Sequence, residues 1–269
     1  MIYRKIYLRD INEVASKDAY IELYLHEEYD GVFTKRPAML IAPGGGYFSI
    51  APLEANTVAL RFASEGFNTF TISYAIDKPY PIPHLDLAIA TSYIKLNVEE
   101  FGLDNNFFIL GFSAGGHLVG SYSYLYKELS SILDVNDEFL RPTAIVLSYP
   151  VISMTHNTHI RTRDIICDYN EANYDKFSIE KHVTKDYPPT FIWTTLTDTG
   201  VNPSNTLDMI KALEDNKVLY DSILFDSLDH GRSVMTLEIK EEFKPFTTEE
   251  LTCRTWVDKV INFLTKNFY

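Results

Sequence analysis

A serine between two glycines follows an apolar stretch near the middle of the chain, in the pattern Gly111-x-Ser113-x-Gly115. The preceding Phe107–Leu110 predict a short buried strand, and the following Leu118–Tyr122 predict a helix. A serine at a tight strand-to-helix turn is held in a strained backbone conformation, and its hydroxyl faces the free N–H groups of the new helix. This arrangement suits nucleophilic attack on a carbonyl carbon. An ordinary glycine-rich turn is the alternative, so the remaining catalytic groups must come from elsewhere in the chain.

A serine hydroxyl becomes a nucleophile when a base accepts its proton, and histidine is the usual base. His230 follows the last predicted strand and precedes Gly231, which leaves the loop free to place the imidazole ring. The other histidines follow an edge strand or lie in predicted helices or an irregular segment: His26, His84, His117, His156, His159 and His182. The sequence therefore predicts His230 as the general base.

The base in turn needs a carboxylate that orients its ring. Asp198 closely follows the predicted strand Thr190–Leu196, and the chain order serine, acid, histidine is the one found with this kind of turn. Asp226 and Asp229 are alternatives, but they lie too close to His230 along the chain to be the expected partner. We therefore predict Asp198 as the acid of a Ser-His-Asp triad.

Three consecutive glycines, at positions 44 to 46, follow another predicted strand. A backbone without side chains can approach a developing oxyanion and offer N–H donors to it. We predict that Gly45 or Gly46 supplies one donor and that Ala114, the residue after the candidate nucleophile, supplies the other. A tight turn and a phosphate-binding loop are the alternatives, and the phosphate loop lacks its following Gly-Lys-Ser/Thr.

Other candidate binding residues give weaker signals. The spacing His156-x-x-His159 would suit a metal, but it lies in a polar, irregular segment and is more typical of a solvated loop. Tyr47 and Tyr149 lie near the ends of predicted strands, where their rings would contact a sugar or aryl substrate or else belong to the core. We expect no metal and no organic cofactor, and we take the two tyrosines as candidate substrate contacts.

Strand and helix patterns alternate from residue 37 to the end of the chain, and the candidate residues follow the strands. The predicted strands there are Pro37–Ala42, Phe67–Tyr74, Phe107–Leu110, Thr143–Tyr149, Thr190–Leu196 and Leu219–Phe225. Besides the helix after Ser113, helices are predicted at Pro52–Glu65, from Pro83 to near Gly102, at Pro203–Leu213 and at Leu251–Phe268. Ile2–Leu8 and Ala19–Leu25 alternate apolar and polar residues and predict an antiparallel pair at a sheet edge.

These patterns predict an α/β fold with one mostly parallel sheet, an antiparallel N-terminal edge and helices on both faces. We expect a single domain over residues 1–269. Residues 150–188 are polar and irregular, and they join two central strands at their carboxyl ends. Because long insertions at this edge often shape substrate access, we expect this segment to form a partial lid.

Composition narrows the classes of partner. The chain has 269 residues, of which 46% are hydrophobic and 23% charged, and its net charge is −13 without a basic cluster. This charge disfavours nucleic acid and anionic membranes as partners. The two cysteines indicate no disulfide framework, no apolar run approaches the roughly 20 residues of a membrane span, and the first residues lack the features of a signal peptide. We expect a cytoplasmic protein that acts on a small molecule, with a homodimer left open.

Several motifs occur together in a familiar order. They are Pro43-Gly44-Gly45-Gly46-Tyr47, Gly111-Phe112-Ser113-Ala114-Gly115-Gly116-His117-Leu118, Ser148-Tyr149-Pro150-Val151-Ile152, Pro188-Pro189-x-Phe191-x-Trp193-Thr194-Thr195 and His230-Gly231. With them the chain resembles the esterase/lipase branch of the α/β-hydrolase superfamily, near the bacterial acetylxylan and carbohydrate acetyl esterases. The resemblance covers about residue 37 to the end. It implies hydrolysis of a small-molecule carboxylic ester without a metal or cofactor.

The resemblance also carries over residue roles, and it has departures. It implies Ser113 as nucleophile, Asp198 as acid, His230 as base, and Gly45 with Ala114 as oxyanion donors. Many relatives have a histidine where this chain has Pro43, and the loop after the acid is one residue longer here. Acetyl esters of carbohydrates are the implied substrates. A feruloyl-type esterase or a peptidase with the same triad, and a non-catalytic binding protein with this fold, are the alternatives.

Overall fold

The computed structural model describes residues 1–27, 35–239 and 244–269. Within these residues, eight strands form one sheet in the order β1-β2-β4-β3-β5-β6-β7-β8. The strands are β1 (Ile2–Tyr7), β2 (Tyr20–Leu25), β3 (Arg36–Ala42), β4 (Asn68–Ser73), β5 (Leu103–Phe112), β6 (Ala144–Ser148), β7 (Thr190–Thr195) and β8 (Tyr220–Phe225). The pairs β1–β2 and β2–β4 are antiparallel, and every other neighbouring pair is parallel. This is the α/β-hydrolase fold class predicted from the sequence.

The central strands bury side chains on both faces of the sheet. Leu40 and Ile109 belong to the core on one face, whereas Met39 and Phe108 belong to the core on the other, and all four are fully buried. Since successive side chains of a strand point to opposite faces, a strand covered on both sides must be apolar throughout. The continuous apolar runs of β3 and β5 therefore follow from their central position.

Helices supply the two outer layers. Their bounds are α1 (Asn56–Ala63), α2 (Ile82–Leu96), α3 (Ser113–Leu133), α4 (Ile160–Ile166), α5 (Tyr174–Phe177), α6 (Ser204–Asp215), α7 (Thr248–Arg254) and α8 (Trp256–Phe268). Helices α2, α3 and α6 pack on the face that carries Leu40, and α1, α7 and α8 pack on the opposite face. No helix of the described ranges combines the length and apolarity that crossing a membrane requires.

Two predicted helices are interrupted in the structure. The first consists of a 3-10 turn, Pro52–Glu54, followed by α1, with Ala55 between them at φ −106° and ψ −98°. The last is divided into α7 and α8 at Thr255, whose hydroxyl donates to the carbonyl of Thr252 and so competes with the helical hydrogen bonds. The first interruption accompanies the burial of Glu54, the last residue of the 3-10 turn.

The segment at residues 150–188 contains regular structure that the sequence pattern does not reveal. It includes α4, α5 and three-residue 3-10 turns at Glu171–Asn173 and Ile179–Lys181. The segment begins against α3, where the Val151 N–H donates to the Ser113 carbonyl at 3.1 Å. Its elements are short, which is why neither a helical nor a strand period extends far enough to be recognised.

His117 is enclosed on α3 and joins this segment to the core. Its Nε2 atom lies 2.9 Å from the carbonyl oxygen of Phe177, and its Nδ1 atom lies 3.0 Å from the hydroxyl of Tyr47. Because a carbonyl only accepts, Nε2 carries the proton and Nδ1 accepts from the tyrosine. Burial lowers the pKa of His117 to about 4. Burial also holds the pKa of His84 well below its ordinary value, beside the hydroxyl of Ser121.

We expect the free energy of unfolding to fall as the pH decreases from about 6.5 to about 4. In this window the unfolded chain protonates His117 while the folded chain keeps it neutral, so added protons favour the unfolded state. The loss from this one residue approaches about 3 kcal/mol at pH 4, and it is absent above pH ~7. Urea unfolding of the wild type and of His117→Gln at pH 7 and pH 4.5 measures it. The variant should lose less stability between the two pH values, and equal losses would contradict the assignment.

Candidate active site

Ser113 lies where β5 ends and α3 begins, and it has a left-handed backbone with φ 51°. The neighbouring glycines allow the chain to turn this sharply. A Cβ atom at Gly111 would lie 2.3 Å from the carbonyl oxygen of Gly115, and one at Gly115 would lie 2.2 Å from that of Ala42. Strand and helix therefore approach each other without side chains between them. The hydroxyl of Ser113 is left at the carboxyl edge of the sheet.

Three predicted side chains meet at this edge. The Oγ atom of Ser113 lies 2.8 Å from Nε2 of His230, and Nδ1 of His230 lies 2.7 Å from Oδ2 of Asp198. The other oxygen of Asp198 accepts the N–H groups of Gly200 and Val201, each at 2.8 Å. The carboxylate is thus oriented so that Nδ1 of the imidazole donates to it and Nε2 is free to accept the serine proton. This is the geometry needed to activate a hydroxyl.

The alternative acids do not reach the imidazole ring. Asp229 accepts from the hydroxyl of Thr199 at 2.6 Å and from the main-chain N–H of His230 at 2.8 Å. The hydrogen bond from the Thr199 hydroxyl, together with those from two main-chain N–H groups, lowers the pKa of Asp229 to about 2. Asp226 is exposed beside the end of β8. Asp229 therefore joins the loop of the candidate acid to the loop of His230.

The glycine run forms one wall of the site. Gly45 and Gly46 have φ values of 122° and 64°, and a Cβ atom at Gly45 would lie 2.1 Å from the carbonyl oxygen of Ser49. The N–H groups of these two glycines donate to no described residue. Ala114 is the second residue of α3, so its N–H lies in the first turn, where no helical acceptor exists. The predicted donors to an oxyanion are the N–H of Ala114 and that of either Gly45 or Gly46.

Glu54 is a buried carboxylate beside this wall that the sequence reasoning missed. One oxygen accepts the Gly44 N–H at 2.7 Å, and the other accepts the hydroxyl of Tyr149 at 2.7 Å. The same hydroxyl accepts the N–H of Ser233, and the Tyr149 ring packs edge-on against His230 at 4.8 Å. Burial raises the pKa of Glu54, and the two donated hydrogen bonds oppose that shift. Glu54 therefore links the glycine run to the loop of His230.

Replacing Glu54 with glutamine should lower kcat by about 10- to 100-fold. The amide has only one acceptor oxygen, so either the Gly44 N–H or the Tyr149 hydroxyl loses a buried partner, which costs about 1–3 kcal/mol in the positioning of the site. Steady-state kinetics and a thermal melt measure the effect. Glu65→Gln, two residues after α1, is the matched control; its exposed ion pair with Arg61 contributes little stability, so neither quantity should change appreciably. A Glu54→Gln variant within twofold of wild-type kcat would show that this link does not position the site.

The two tyrosines predicted to contact substrate lie behind the site. Tyr47 is fully buried, and its hydroxyl binds His117. Tyr149 is also buried and directs its hydroxyl to Glu54. Neither ring lines the cavity next to Ser113. Neither tyrosine therefore presents an exposed ring on which a substrate could stack. Both rings are buried, and their hydroxyls bind His117 and Glu54.

A cavity of about 360 Å³ opens above Ser113. It is lined by Gly45, Gly46, Phe48, Ala51, Pro52, Leu53, Glu54, Ser113, His159, Gly200, Val201, His230 and Gly231. Its surface is predominantly apolar with a few convergent polar groups, which is typical of a site for a small organic molecule. The guanidinium of Arg161 stacks on the outer Phe48 ring at 3.5 Å. Residues 150–188 therefore contribute both a cavity residue and a support for the cavity wall.

The two histidines of the His156-x-x-His159 spacing have separate partners. His156 binds Asp208 at 2.9 Å, whereas Nδ1 of His159 lies 2.7 Å from the hydroxyl of Thr162. The described part of the chain holds no cluster of three or more histidine, cysteine or acidic side chains that would bind a metal ion. His159 lines the cavity, a position that sequence spacing alone does not indicate.

The chain is similar to solved esterase structures along nearly its whole length. A carboxylesterase from Lactobacillus plantarum WCFS1 is 25% identical and superposes with a TM-score of 0.85, over 99% of this chain and 98% of that one. An acetyl ester-xyloside bifunctional hydrolase from Caldicellulosiruptor lactoaceticus is 28% identical, with a TM-score of 0.76 over 96% of each chain. The likeness thus includes β1 through α8.

Sequence comparison gives the family. Endo-1,4-beta-xylanase B from Butyrivibrio fibrisolvens is 32% identical over 223 residues, which are 78% of this chain and 34% of that protein. The chain spans about a third or less of the length of the curated relatives it matches. The BD-FAE family matches residues 21–213. Since this match extends from β2 into α6, and the fold agrees with it, the chain belongs to the BD-FAE family of α/β-hydrolases, which has carboxylesterases among its structural relatives.

Proposed function

We propose that this protein is a serine esterase that hydrolyses short-chain carboxylic esters, above all acetyl esters of carbohydrates. The observation that carries the proposal is the unbroken line of hydrogen bonds from Ser113 through His230 to Asp198, opening into an apolar cavity. A buried carboxylate, an imidazole and a hydroxyl in this order make an alcohol nucleophilic.

In the proposed reaction, Oγ of Ser113 attacks the ester carbonyl carbon while its proton moves to Nε2 of His230. The carbonyl oxygen becomes an oxyanion facing the N–H groups of Gly45, Gly46 and Ala114. The tetrahedral intermediate collapses, the C–O bond to the alcohol breaks, and His230 returns the proton to the leaving oxygen. Water then attacks the acyl-serine with His230 as base, which releases the carboxylic acid and restores Ser113. Each of these steps is assigned to groups of this chain.

The size of the cavity and the nature of the relatives support the substrate class. A volume of about 360 Å³ lies near the lower end of the range for small-molecule sites, which favours a small acyl group over a long aliphatic chain. One structural relative is an acetyl ester-xyloside hydrolase, and one sequence relative is a xylanase. Both act on xylose-containing material by their names, so we infer an acetylated sugar as the substrate of this chain.

We further propose that residues 1–269 form one domain in which residues 150–188 act as a cap over the site. All eight strands, from β1 to β8, belong to the same sheet, which supports a single domain. The position of His159 in the cavity wall, and of Arg161 on Phe48, supports the cap. A cap fixed by such contacts would limit the size of the alcohol that enters.

A substrate panel tests the proposal. The esters are p-nitrophenyl acetate, butyrate and octanoate, acetylated xylose, and methyl ferulate. We expect p-nitrophenyl acetate to have the highest kcat/KM of the three chain lengths and acetylated xylose to be deacetylated. Preference for octanoate, or for methyl ferulate over acetylated xylose, would contradict the proposed substrate. Absence of both turnover and fluorophosphonate labelling would support a non-catalytic binding protein instead.

A further inference from the structure

His159 places a second imidazole in the cavity, and the proposed mechanism does not use it. It is the residue before α4, within residues 150–188, and it lines the cavity together with Ser113 and His230. Its Cε1 atom lies 3.3 Å from the position a Cβ atom would take at Gly46. The ring is therefore held beside the glycine run rather than out in solvent.

The hydrogen bonds of His159 determine which ring nitrogen carries a proton. Nδ1 accepts the main-chain N–H of Thr162 at 3.3 Å and lies 2.7 Å from the hydroxyl of the same residue. A main-chain N–H can only donate, so Nδ1 presents its lone pair and the neutral ring has its proton on Nε2. Burial lowers the pKa of His159, and His230 and Arg161 lower it further. The neutral form, with Nε2 as a donor, is thus the form present at neutral pH.

The Nε2 donor is available to a ligand. It makes no hydrogen bond to any described residue, although the ring lines the cavity. An apolar cavity with few polar groups recognises a ligand chiefly through those groups. The other polar side chains there already have partners. Ser113 and His230 bind each other, His230 also binds Asp198, and Glu54 accepts from the Gly44 N–H and the Tyr149 hydroxyl. His159 is then the cavity side chain with a donor, Nε2–H, that no described residue accepts.

We propose that His159 is a specificity residue whose Nε2–H donates a hydrogen bond to a hydroxyl or ring oxygen of the sugar alcohol. This inference rests on the proposed esterase function and adds a named contact to it. The leaving oxygen must lie within reach of Nε2 of His230, so the alcohol extends on the imidazole side of Ser113. The half-buried ring of His159 lines the same cavity, beside Gly46, so an alcohol that fills this cavity comes within its reach.

Two variants separate the two roles of the His159 side chain, which are the Nε2–H donor and the N-cap of α4. In His159→Asn, the side-chain oxygen can still accept from Thr162, but no donor extends to the depth of Nε2. In His159→Gln, the amide N–H reaches toward the position of the histidine Nε2, but the N-cap hydrogen bond to Thr162 is lost. The measured quantity is the ratio of kcat/KM for acetylated xylose to kcat/KM for p-nitrophenyl acetate, whose leaving group has no hydroxyl to recognise.

We expect His159→Asn to lower this ratio about 3- to 10-fold, mainly through KM, as for the loss of one neutral hydrogen bond. His159→Gln should restore most of the ratio even though its melting temperature falls. His156→Asn, in the same segment but bound to Asp208 outside the cavity, is the matched control and should leave the ratio unchanged.

A ratio in His159→Asn that equals the wild-type ratio would overturn the inference while leaving the esterase proposal intact. The inference would also fail if His159→Gln lowered the ratio as much as His159→Asn does. The loss would then depend on the imidazole ring and not on the donor. If the wild type hydrolysed p-nitrophenyl acetate but no acetylated sugar, the proposed substrate class would fail, and the inference with it.

Discussion

Ser113→Ala should reduce kcat by about 10⁴- to 10⁶-fold and leave the fold intact. Alanine removes the nucleophilic oxygen, and because triad members act as a unit, losing one removes most of the acceleration that all three provide. The side chain is small, and its described hydrogen bond is to His230, so little packing is lost. Hydrolysis of p-nitrophenyl acetate and fluorophosphonate labelling measure the effect, and a thermal melt checks the fold.

The matched control is Ser131→Ala, near the end of α3, where the hydroxyl donates only to the carbonyl of Lys127. This variant should keep both wild-type activity and labelling. If Ser113→Ala retained a tenth of wild-type kcat, another residue would be the nucleophile. That result would refute the assignment even if the family membership stood.

Asp198→Asn should cost roughly 10⁴-fold in kcat, as an amide in place of the triad acid does in serine proteases. The hydrogen bonds of Asp198 explain why the asparagine should lower kcat. The N–H groups of Gly200 and Val201 bind one carboxylate oxygen, so the amide oxygen of asparagine will occupy that position. The amide NH₂ then faces Nδ1 of His230 and favours the tautomer that has its proton on Nε2, where it cannot accept from Ser113.

Asp229→Asn is the control for this change, since its carboxylate binds Thr199 and the main chain of His230 but not the imidazole ring. We expect a loss of less than about 10-fold, from weaker positioning of the loop. A larger loss in Asp229→Asn than in Asp198→Asn would show that the acid has been assigned wrongly. Kinetics on p-nitrophenyl acetate at neutral pH compares the two variants.

The acid loop, which is one residue longer than the family pattern that the sequence resembles, folds locally around Asp198. One oxygen of Asp198 accepts the N–H groups of the residues two and three positions later, so the loop folds back over its own aspartate. With this turn formed, the second oxygen of Asp198 still faces His230. The length of the loop therefore does not displace the carboxylate.

The sequence by itself was enough to predict the order of the strands, the position of most helices outside residues 150–188, and the three side chains that meet at the sheet edge. Runs such as Pro37–Ala42 are apolar because both faces are covered, and that requirement is visible in the residues themselves. Ser113, Asp198 and His230 each follow a strand, and parallel strands bring their carboxyl ends to one edge. Local patterns and topology together are sufficient for such a prediction.

Tertiary structure alone decided what surrounds these three residues. Glu54 looked like an ordinary acidic residue in a helical turn, and the break at Ala55 is what accompanies its burial beside Gly44. Tyr149 lies near the end of a strand, as a substrate contact would, yet its hydroxyl donates to the buried Glu54 carboxylate. The spacing of His159 from His156 indicates at most a metal ligand, and it does not reveal that His159 lines the cavity. Each outcome depends on contacts between residues tens of positions apart, which no local period encodes, because burial and hydrogen-bond partners are set only when the segments pack together.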